Sequence, residues 1–321
     1  MVTNVDKNLV IGIDIGGTGT KIGLVDARGE ILARDEGIAT TAYSTFDGFV
    51  DAMSEVIERL LTATDSHGKV RGIGVGAPDS NYYTGNIEHA FNLPWKGVLP
   101  LADMLSKRCN IPVYVTNDAN AAAIGEMTYG TAKGMKNFIV ITLGTGVGSG
   151  IVINGQVVYG NDGFAGELGH VTMVRGDSGR LCGCGRRGCL EAYCSATGVA
   201  RTAKEIIEQM NEPGLLSNIK NITARDVYNA AMNGDKTALE IFNFTGNMLG
   251  EAIADFIAFS SPQAIILFGG LTRAGDLLLE PIKKSVDKNV LHTYKGKVQI
   301  LISQLKDSDA AILGASALAW E

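Results

Sequence analysis

Two short stretches of this sequence combine small, hydroxylated and charged residues in the way that phosphate chemistry requires. Asp14-Ile15-Gly16-Gly17-Thr18-Gly19-Thr20-Lys21 sets backbone N–H groups without side-chain shielding beside two threonine hydroxyls and a lysine. Leu143-Gly144-Thr145-Gly146 repeats the glycine-threonine core farther along the chain. Such amides can cradle phosphate oxygens, and Lys21 adds charge. Asp14 ends an apolar run, where an unpaired carboxylate is costly unless it serves magnesium or another positive partner. A third glycine pair, Gly269-Gly270, ends the run AIILF, at the strand end where open α/β sheets present ligands. A strand-to-helix turn explains that pair equally well, and one glycine loop alone is also a plain hairpin turn. The match between two loops is what argues for phosphate.

Two common phosphate signatures are excluded. A dinucleotide fingerprint needs a helix to open at the loop, yet KIGLVDARGEILAR continues as a hairpin, and Ile22 stands where the last glycine belongs. No Gly-Lys-Ser/Thr follows at Walker spacing.

The other chemistry-bearing residues are acids, amides and thiols. Asp118, in Asn117-Asp118-Ala119-Asn120-Ala121, ends a strand before an alanine-rich helix, where an isolated aspartate reads as a helix cap. Glu191 reads as a first-turn glutamate favoured by the helix dipole. Glu167, bracketed by Gly166 and Gly169 and followed by His170, is an unusual way to build a solvated surface. Cys182-x-Cys184-x4-Cys189, with His170 upstream, supplies three thiolates and an imidazole, the ligand set of a closed tetrahedral zinc site. Gly183 and Gly185 permit the tight Cys-x-Cys turn, and Arg186-Arg187 favour thiolate. Buried free thiols or a redox pair are the alternatives. With no open coordination position, such a metal is structural. Cys109 and Cys194 fall outside the pattern and are expected to be buried small hydrophobes.

The elements that must hold these residues follow from periodicity. Leu9 to Val25 reads as strand, glycine turn, strand, and EILAR adds a third run after the Ala27-Arg28-Gly29 turn. Phe46, Phe49, Val50, Met53, Val56, Ile57, Leu60 and Leu61 recur at helical spacing. VRGIGVGAP is a strand stopped by Pro78, a helical stretch around Leu99 to Arg108 follows, then the strand IPVYVTN and a helix from near Ala119. Phe138 to Ile153, FIVITLGTGVGSGIVI, echoes residues 9 to 25 and points to an internal duplication. Helices then alternate with the strands QAIILFGG and VQILIS, and an alanine-rich helix closes the chain.

With 321 residues, of which 45% are apolar and 19% charged, two lobes with a cleft between them are expected. A net charge of -6 argues against a nucleic-acid partner. The opening residues MVTNVDKNLV lack the regions of a secretory signal, and no apolar run approaches the roughly 20 residues needed to span a bilayer. With a cysteine cluster better suited to metal than to disulfides, the reading is a cytoplasmic protein with no membrane partner.

In order and across nearly the whole chain, Asp14 to Lys21, Asn117 to Ala121, Leu143 to Gly146, Gly166-Glu167-Leu168-Gly169-His170 and Cys182-Gly183-Cys184 through Cys189-Leu190-Glu191 resemble the ROK family of bacterial-type glucokinases and related sugar kinases. The resemblance implies an α/β, two-lobed actin-like ATPase (ribonuclease H-like) fold with duplicated mixed sheets. It implies a smaller lobe at 1–115, joined by the C-terminal helix at 305–321, and a larger lobe at 116–304 that carries the zinc loop and nucleotide contacts. The implied activity is ATP-dependent phosphorylation of a hexose, first of all glucose to glucose 6-phosphate, with Asp118 as general base rather than cap.

By the same resemblance the sugar in the cleft is touched by Asn92, Asn117, Asp118, Glu167, His170 and Glu191, with Gly76 and Ala77 beside it. ATP is held by Asp14, Gly16, Gly17, Thr18, Thr20, Lys21, Gly144, Thr145, Gly146, Gly269 and Gly270, with Mg2+ as its ion. Structural Zn2+ falls to His170, Cys182, Cys184 and Cys189, and the assembly to a homodimer. Carboxylates, amides and an imidazole suit adjacent sugar hydroxyls, which both donate and accept.

Two alternatives stand beside this reading. One is a kinase for N-acetylmannosamine, N-acetylglucosamine, allose or fructose. A second, from another class, is a sugar-binding transcription regulator of the same family. Those regulators add an N-terminal helix-turn-helix, for which the roughly 15 residues before the first glycine loop leave no room. One departure bears on the first of these: family members often have glycine after Ala77-Pro78, whereas Asp79-Ser80-Asn81 follows here, so the loop above the sugar is expected to differ.

Overall fold

The computed structural model describes residues 7–208 and 214–320. Residues 1–6, read as lacking a signal segment, and Glu321 at the end of the expected C-terminal helix lie outside the described residues. The chain divides into two compact units, residues 1–135 with 150–166 and 304–321, and residues 136–149 with 167–303.

In the first unit, strands β1 (Leu9–Ile15), β2 (Thr20–Asp26) and β3 (Ile31–Ile38) form an antiparallel meander. Between β3 and β4 (Val70–Gly76) runs helix α1 (Phe46–Ala63). The eight apolar residues that predict this helix are all buried in it, and Thr45 caps it by accepting from Gly48 N at 3.2 Å. Phe46 and Phe49 meet Trp95 with ring centroids 5.3 and 4.7 Å apart.

A two-residue pair, β5 (Ile87–Glu88) with β6 (Val98–Leu99), precedes helix α2 (Leu101–Cys109), strand β7 (Val113–Thr116) and helix α3 (Asp118–Thr128). Strand β4 lies parallel to β1, and β7 parallel to β4, giving the order β3-β2-β1-β4-β7.

The second sheet repeats that order. Strands β8 (Phe138–Leu143), β9 (Val147–Ile153), β10 (Gln156–Val157), β11 (Ala264–Phe268) and β12 (Gln299–Ile302) run β10-β9-β8-β11-β12, with β11 parallel to both β8 and β12. The duplication read from the two glycine hairpins therefore extends to whole five-stranded sheets. Helices α4 (Glu191–Cys194), α5 (Ala196–Ile207), α6 (Ala224–Met232), α7 (Lys236–Ser260) and α8 (Asp276–Asn289) lie in the second unit. None of the described helices is long and apolar enough to cross a membrane.

Helix α9 (Asp307–Ala317) belongs to the first unit and lies flush on β1 and β4. A Cβ at Gly12 would strike the carbonyl of Ile312, and one at Gly74 that of Ala315. Helix α3 crosses α9 just as closely, since a Cβ at Gly125 would fall 2.7 Å from Gly314 Cα. This contact moves the boundary. The sequence puts it at 115/116, but α3 stays with the first unit because its small-residue face packs on α9.

Candidate functional site

The turn from β1 to β2 is braced by its own backbone. Gly16 N donates to Gly19 O at 3.0 Å, Thr40 N to Thr18 O at 3.1 Å, and the Thr40 hydroxyl to Gly16 O at 2.8 Å. Thr20, assigned to ATP from the sequence, is fully buried with its hydroxyl 3.0 Å from that of Thr40. Buried there, it braces the turn. Gly17 backs onto Asn92, whose carbonyl would lie 3.0 Å from a Cβ at that position. The loop and the candidate sugar residue Asn92 therefore meet. Lys21 is in register opposite Asp14 across the hairpin. Asp14 is half-buried, and desolvation, reinforced by the neighbouring Asp118 carboxylate and opposed by Lys21, lifts its pKa to about 6.

Asp118 opens α3 but does not cap it. Asn117 is the cap, its Oδ1 accepting from Ala119 N at 2.8 Å, and Asp118 Oδ1 accepts from the same N–H at 2.8 Å. The Asp118 side chain is exposed, although the protein atoms crowded around it partly desolvate its carboxyl. That desolvation, with the charge of Asp79, holds its carboxyl above the usual range against the pull of the backbone N–H groups.

Gly76 lies behind it, where a Cβ would sit 3.7 Å from Asp118 Cα. Gly76 and Ala77 are both buried, and Ala77 N is spent on Thr116 O at 3.0 Å. Gly76 thus packs beneath Asp118, and Ala77 is tied to the strand that leads to it. Asp79 has φ +49°, a left-handed conformation that favours glycine. Asp79 thus carries a side chain in a backbone conformation that favours glycine.

In the second unit, the loop after β8 is tied to the start of α5. Ala196 N donates to Gly144 O and the Thr197 hydroxyl to Thr145 O, both at 2.8 Å. Glu191 Oε2 accepts from Val147 N at 3.0 Å, and a Cβ at Gly146 would run into that carboxylate. Gly146 is therefore glycine because Glu191 needs the space. Gly269, φ +106°, is pressed against Leu143, whose carbonyl would be 2.8 Å from a Cβ there, so it serves packing.

Gly144, Thr145 and Gly270 open onto a cavity of about 620 Å³. Its far wall is Thr223, Arg225, Tyr228, Asn229, Phe242 and Arg273, none of which the sequence reading singled out. One signal was available: Thr223-x-x-Asp226 is a capping box, made here by Thr223 Oγ1 and Asp226, and it marks the helix start that carries three of these residues.

The Glu167–His170 segment is a short turn in which His170 N donates to Glu167 O at 3.0 Å, and Gly169 has no room for a side chain against Val147 O. The ligand atoms of His170, Cys182, Cys184 and Cys189 all lie within 4.8 Å of one another. Cys184 Sγ is 3.7 Å from Cys189 Sγ, and Cys182 Sγ is 3.7 Å from His170 Nδ1. The other imidazole nitrogen, Nε2, lies 3.8 Å from Glu167 Oε2. Cys182 Sγ is also 3.4 Å from Glu191 Oε1, which links the cluster to the loop after β8. Of the remaining thiols, Cys194 is fully buried as expected, but Cys109 is only half-buried at the rim of the first core.

A family model described as "ROK family" matches residues 10–321. A glucokinase from Halalkalibacterium halodurans is 39% identical over 312 residues, covering 95% of this chain and 92% of that protein. The crystal structure of a ROK family glucokinase from Streptomyces griseus in complex with glucose and AMPPNP superposes with a TM-score of 0.79 at 35% identity, over 97% of this chain and 99% of that one. A ROK family transcriptional regulator, a homologue of the E. coli MLC protein, superposes with a TM-score of 0.87 at 27% identity over 99% of this chain and 78% of its own.

Proposed function

The chain belongs to the ROK family, and we propose that it is an ATP-dependent hexokinase that converts glucose to glucose 6-phosphate with Asp118 as general base. The observation that carries the proposal is the division of labour at the start of α3. Asn117 does the capping, and the exposed Asp118 carboxylate, one of whose oxygens also accepts from Ala119 N, has its pKa and therefore its basicity raised. In the reaction Asp118 takes the proton of the attacking sugar hydroxyl, that oxygen bonds to the γ-phosphorus of ATP, and the bond to the β-bridging oxygen breaks to release ADP. Positioning and charge stabilisation dominate such a transfer.

Asn92, Asn117, Asp118, Glu167, His170 and Glu191 are assigned to the sugar by the family resemblance. The Gly144-Thr145 loop and the cavity beside it suit a nucleoside triphosphate, with Gly16 to Gly19 as the second phosphate loop. The half-buried Asp14, with its pKa near 6, suits a divalent ion accompanying the nucleotide; Mg2+ would supply charge neutralisation there.

The donor set of the cysteine cluster fits zinc. A tetrahedral ion with metal–sulfur distances of ~2.3 Å has ligand–ligand edges of ~3.8 Å, close to the two 3.7 Å separations in the cluster. His170 Nδ1 would bind the metal and leave Nε2 for Glu167 or a sugar hydroxyl, so one imidazole serves both assigned roles. Three thiolate ligands and a nucleotide donor suit a reducing, ATP-supplied compartment, so the reading includes a cytoplasmic location.

The similarity to the transcriptional regulator favours one other reading, a sugar-binding protein without turnover. A coupled assay with ATP against glucose, N-acetylmannosamine, N-acetylglucosamine, allose and fructose separates the two. Turnover with glucose foremost is expected, and Asp118→Asn should lose ~10²- to 10⁴-fold in kcat while still binding sugar. Sugar binding with no turnover in the wild type refutes the kinase reading.

A further inference from the structure

The loop that departs from its family, Asp79-Ser80-Asn81, leads into a set of contacts that the hexokinase reading does not use. Asn81 is 5% exposed, and both ends of its amide are engaged. Its Oδ1 accepts from Tyr83 N at 3.0 Å and Thr84 N at 3.3 Å, which folds its own loop, while Nδ2 donates to Asp162 O at 2.8 Å, 81 residues away. Gly163, φ +87°, is shaped to this contact: a Cβ there would lie 2.7 Å from Asn81 Oδ1. The Tyr83 hydroxyl donates to Gly160 O at 2.8 Å, and the Tyr82 ring stacks on Tyr159 at 3.8 Å and 7°. Two loops without regular structure are thus joined by a buried side-chain amide, a phenol and an aromatic stack, all within the first unit. Gly166, at the end of the clamped segment, is followed directly by Glu167.

We propose that Asn81, assisted by Tyr83, is a positioning residue that clamps segment 159–166 and thereby fixes the entry of the chain into Glu167, setting affinity for and discrimination among hexoses. The role rests on the assignment of Glu167 to the sugar. A clamp of this kind pre-organises a binding group and removes an ordering cost at each binding event, so it acts on KM more than on kcat. The side chain itself touches no reacting atom.

The test combines hydrogen exchange with kinetics on the full-length protein. Asn81→Ala should speed amide exchange across 160–166 by about 10-fold or more, since it removes the buried anchor. It should raise KM for glucose by about 5- to 10-fold with kcat within about 2-fold, and narrow the kcat/KM ratio of glucose over N-acetylglucosamine. In a Glu167→Gln background the same substitution should add little to KM, because the group it positions is already gone. Tyr83→Phe, at a 59% exposed residue, removes only the bond to Gly160 and should act in the same direction more weakly, even if Asn81→Ala folds poorly. Unchanged exchange at 160–166 in both variants overturns the clamp whatever the activity. Faster exchange with an equal KM effect in both backgrounds overturns the link to Glu167. A wild type that turns over no hexose defeats the kinase reading instead, and the exchange experiment alone then decides the clamp.

Discussion

Replacing Asp14 by asparagine should stabilise the ligand-free protein while crippling catalysis, and the gain should depend on pH in a defined direction. The Asp14 carboxyl has its pKa raised from 3.8 to about 6, chiefly by desolvation and further by the Asp118 charge. The folded protein therefore holds this proton more tightly than the unfolded chain does. Between about pH 4 and 6 the unfolded chain loses it first, so the stability this group contributes is present below pH 4 and lost as the pH rises through 6. A shift of roughly 2 units corresponds to about 3 kcal/mol, an upper bound because the side chain is only half-buried. Asp14→Asn removes the titrating group. Its melting temperature should match the wild type near pH 4 and exceed it by pH 8, by about 4 °C if the chain melts as a whole and about twice that if the first unit melts alone. Differential scanning calorimetry of both proteins at pH 4, 5, 6, 7 and 8 reads the divergence, and Mg2+ with ATP should close the gap at pH 8 by supplying the positive partner. Two curves that keep a constant offset from pH 4 to 8, or a variant less stable at pH 8, refute the desolvation argument.

Metal analysis of purified protein should find about one zinc per chain, and Cys184→Ser should lose it together with hexose affinity; full metal retention in that variant would disprove the four-residue site. Gly146→Ala should lower kcat/KM for ATP and for glucose together by about 10-fold or more, because the added methyl meets the Glu191 carboxylate that anchors Val147 N; an effect on one substrate alone would show the two loops to be independent. Arg273→Ala and Tyr228→Ala, both on the wall of the cavity beside Gly144, should raise KM for ATP and leave KM for glucose unchanged.

The strand–glycine–strand hairpins and the eight-residue apolar face of α1 were legible because they are local patterns, whose period is fixed by the pleat and the helix. The Cys182, Cys184, Cys189 and His170 cluster was legible for a related reason: the three cysteines fall within eight positions, and only His170 comes from elsewhere. What escaped the sequence depends on partners far along the chain. Nothing near Thr20 announces that Thr40 will cover it, and nothing near Ala119 announces that α9, almost 200 residues later, will claim α3 for the first unit. The cavity wall at Tyr228 and Arg273 is joined only by folding, although the capping box at Thr223 marks where one of its helices begins.

The two glycine loops show most directly how duplicated sequence acquires different chemistry. They occupy equivalent turns of equivalent sheets, yet their braces differ. The first is held by Thr40 and its own backbone, with Asn92 packed on Gly17. The second is held by Glu191 and by the start of α5, and Glu191 also lies against Cys182 of the metal cluster. A displacement of that cluster can therefore be carried through one carboxylate to the loop at Gly144. Loss of zinc should consequently weaken ATP as well as sugar, an outcome that a metal serving only to hold a sugar-binding histidine would not produce. Measuring Kd for a non-hydrolysable ATP analogue before and after chelation distinguishes the two: a fall in nucleotide affinity in the absence of sugar supports the Glu191 connection, and an unchanged Kd breaks it.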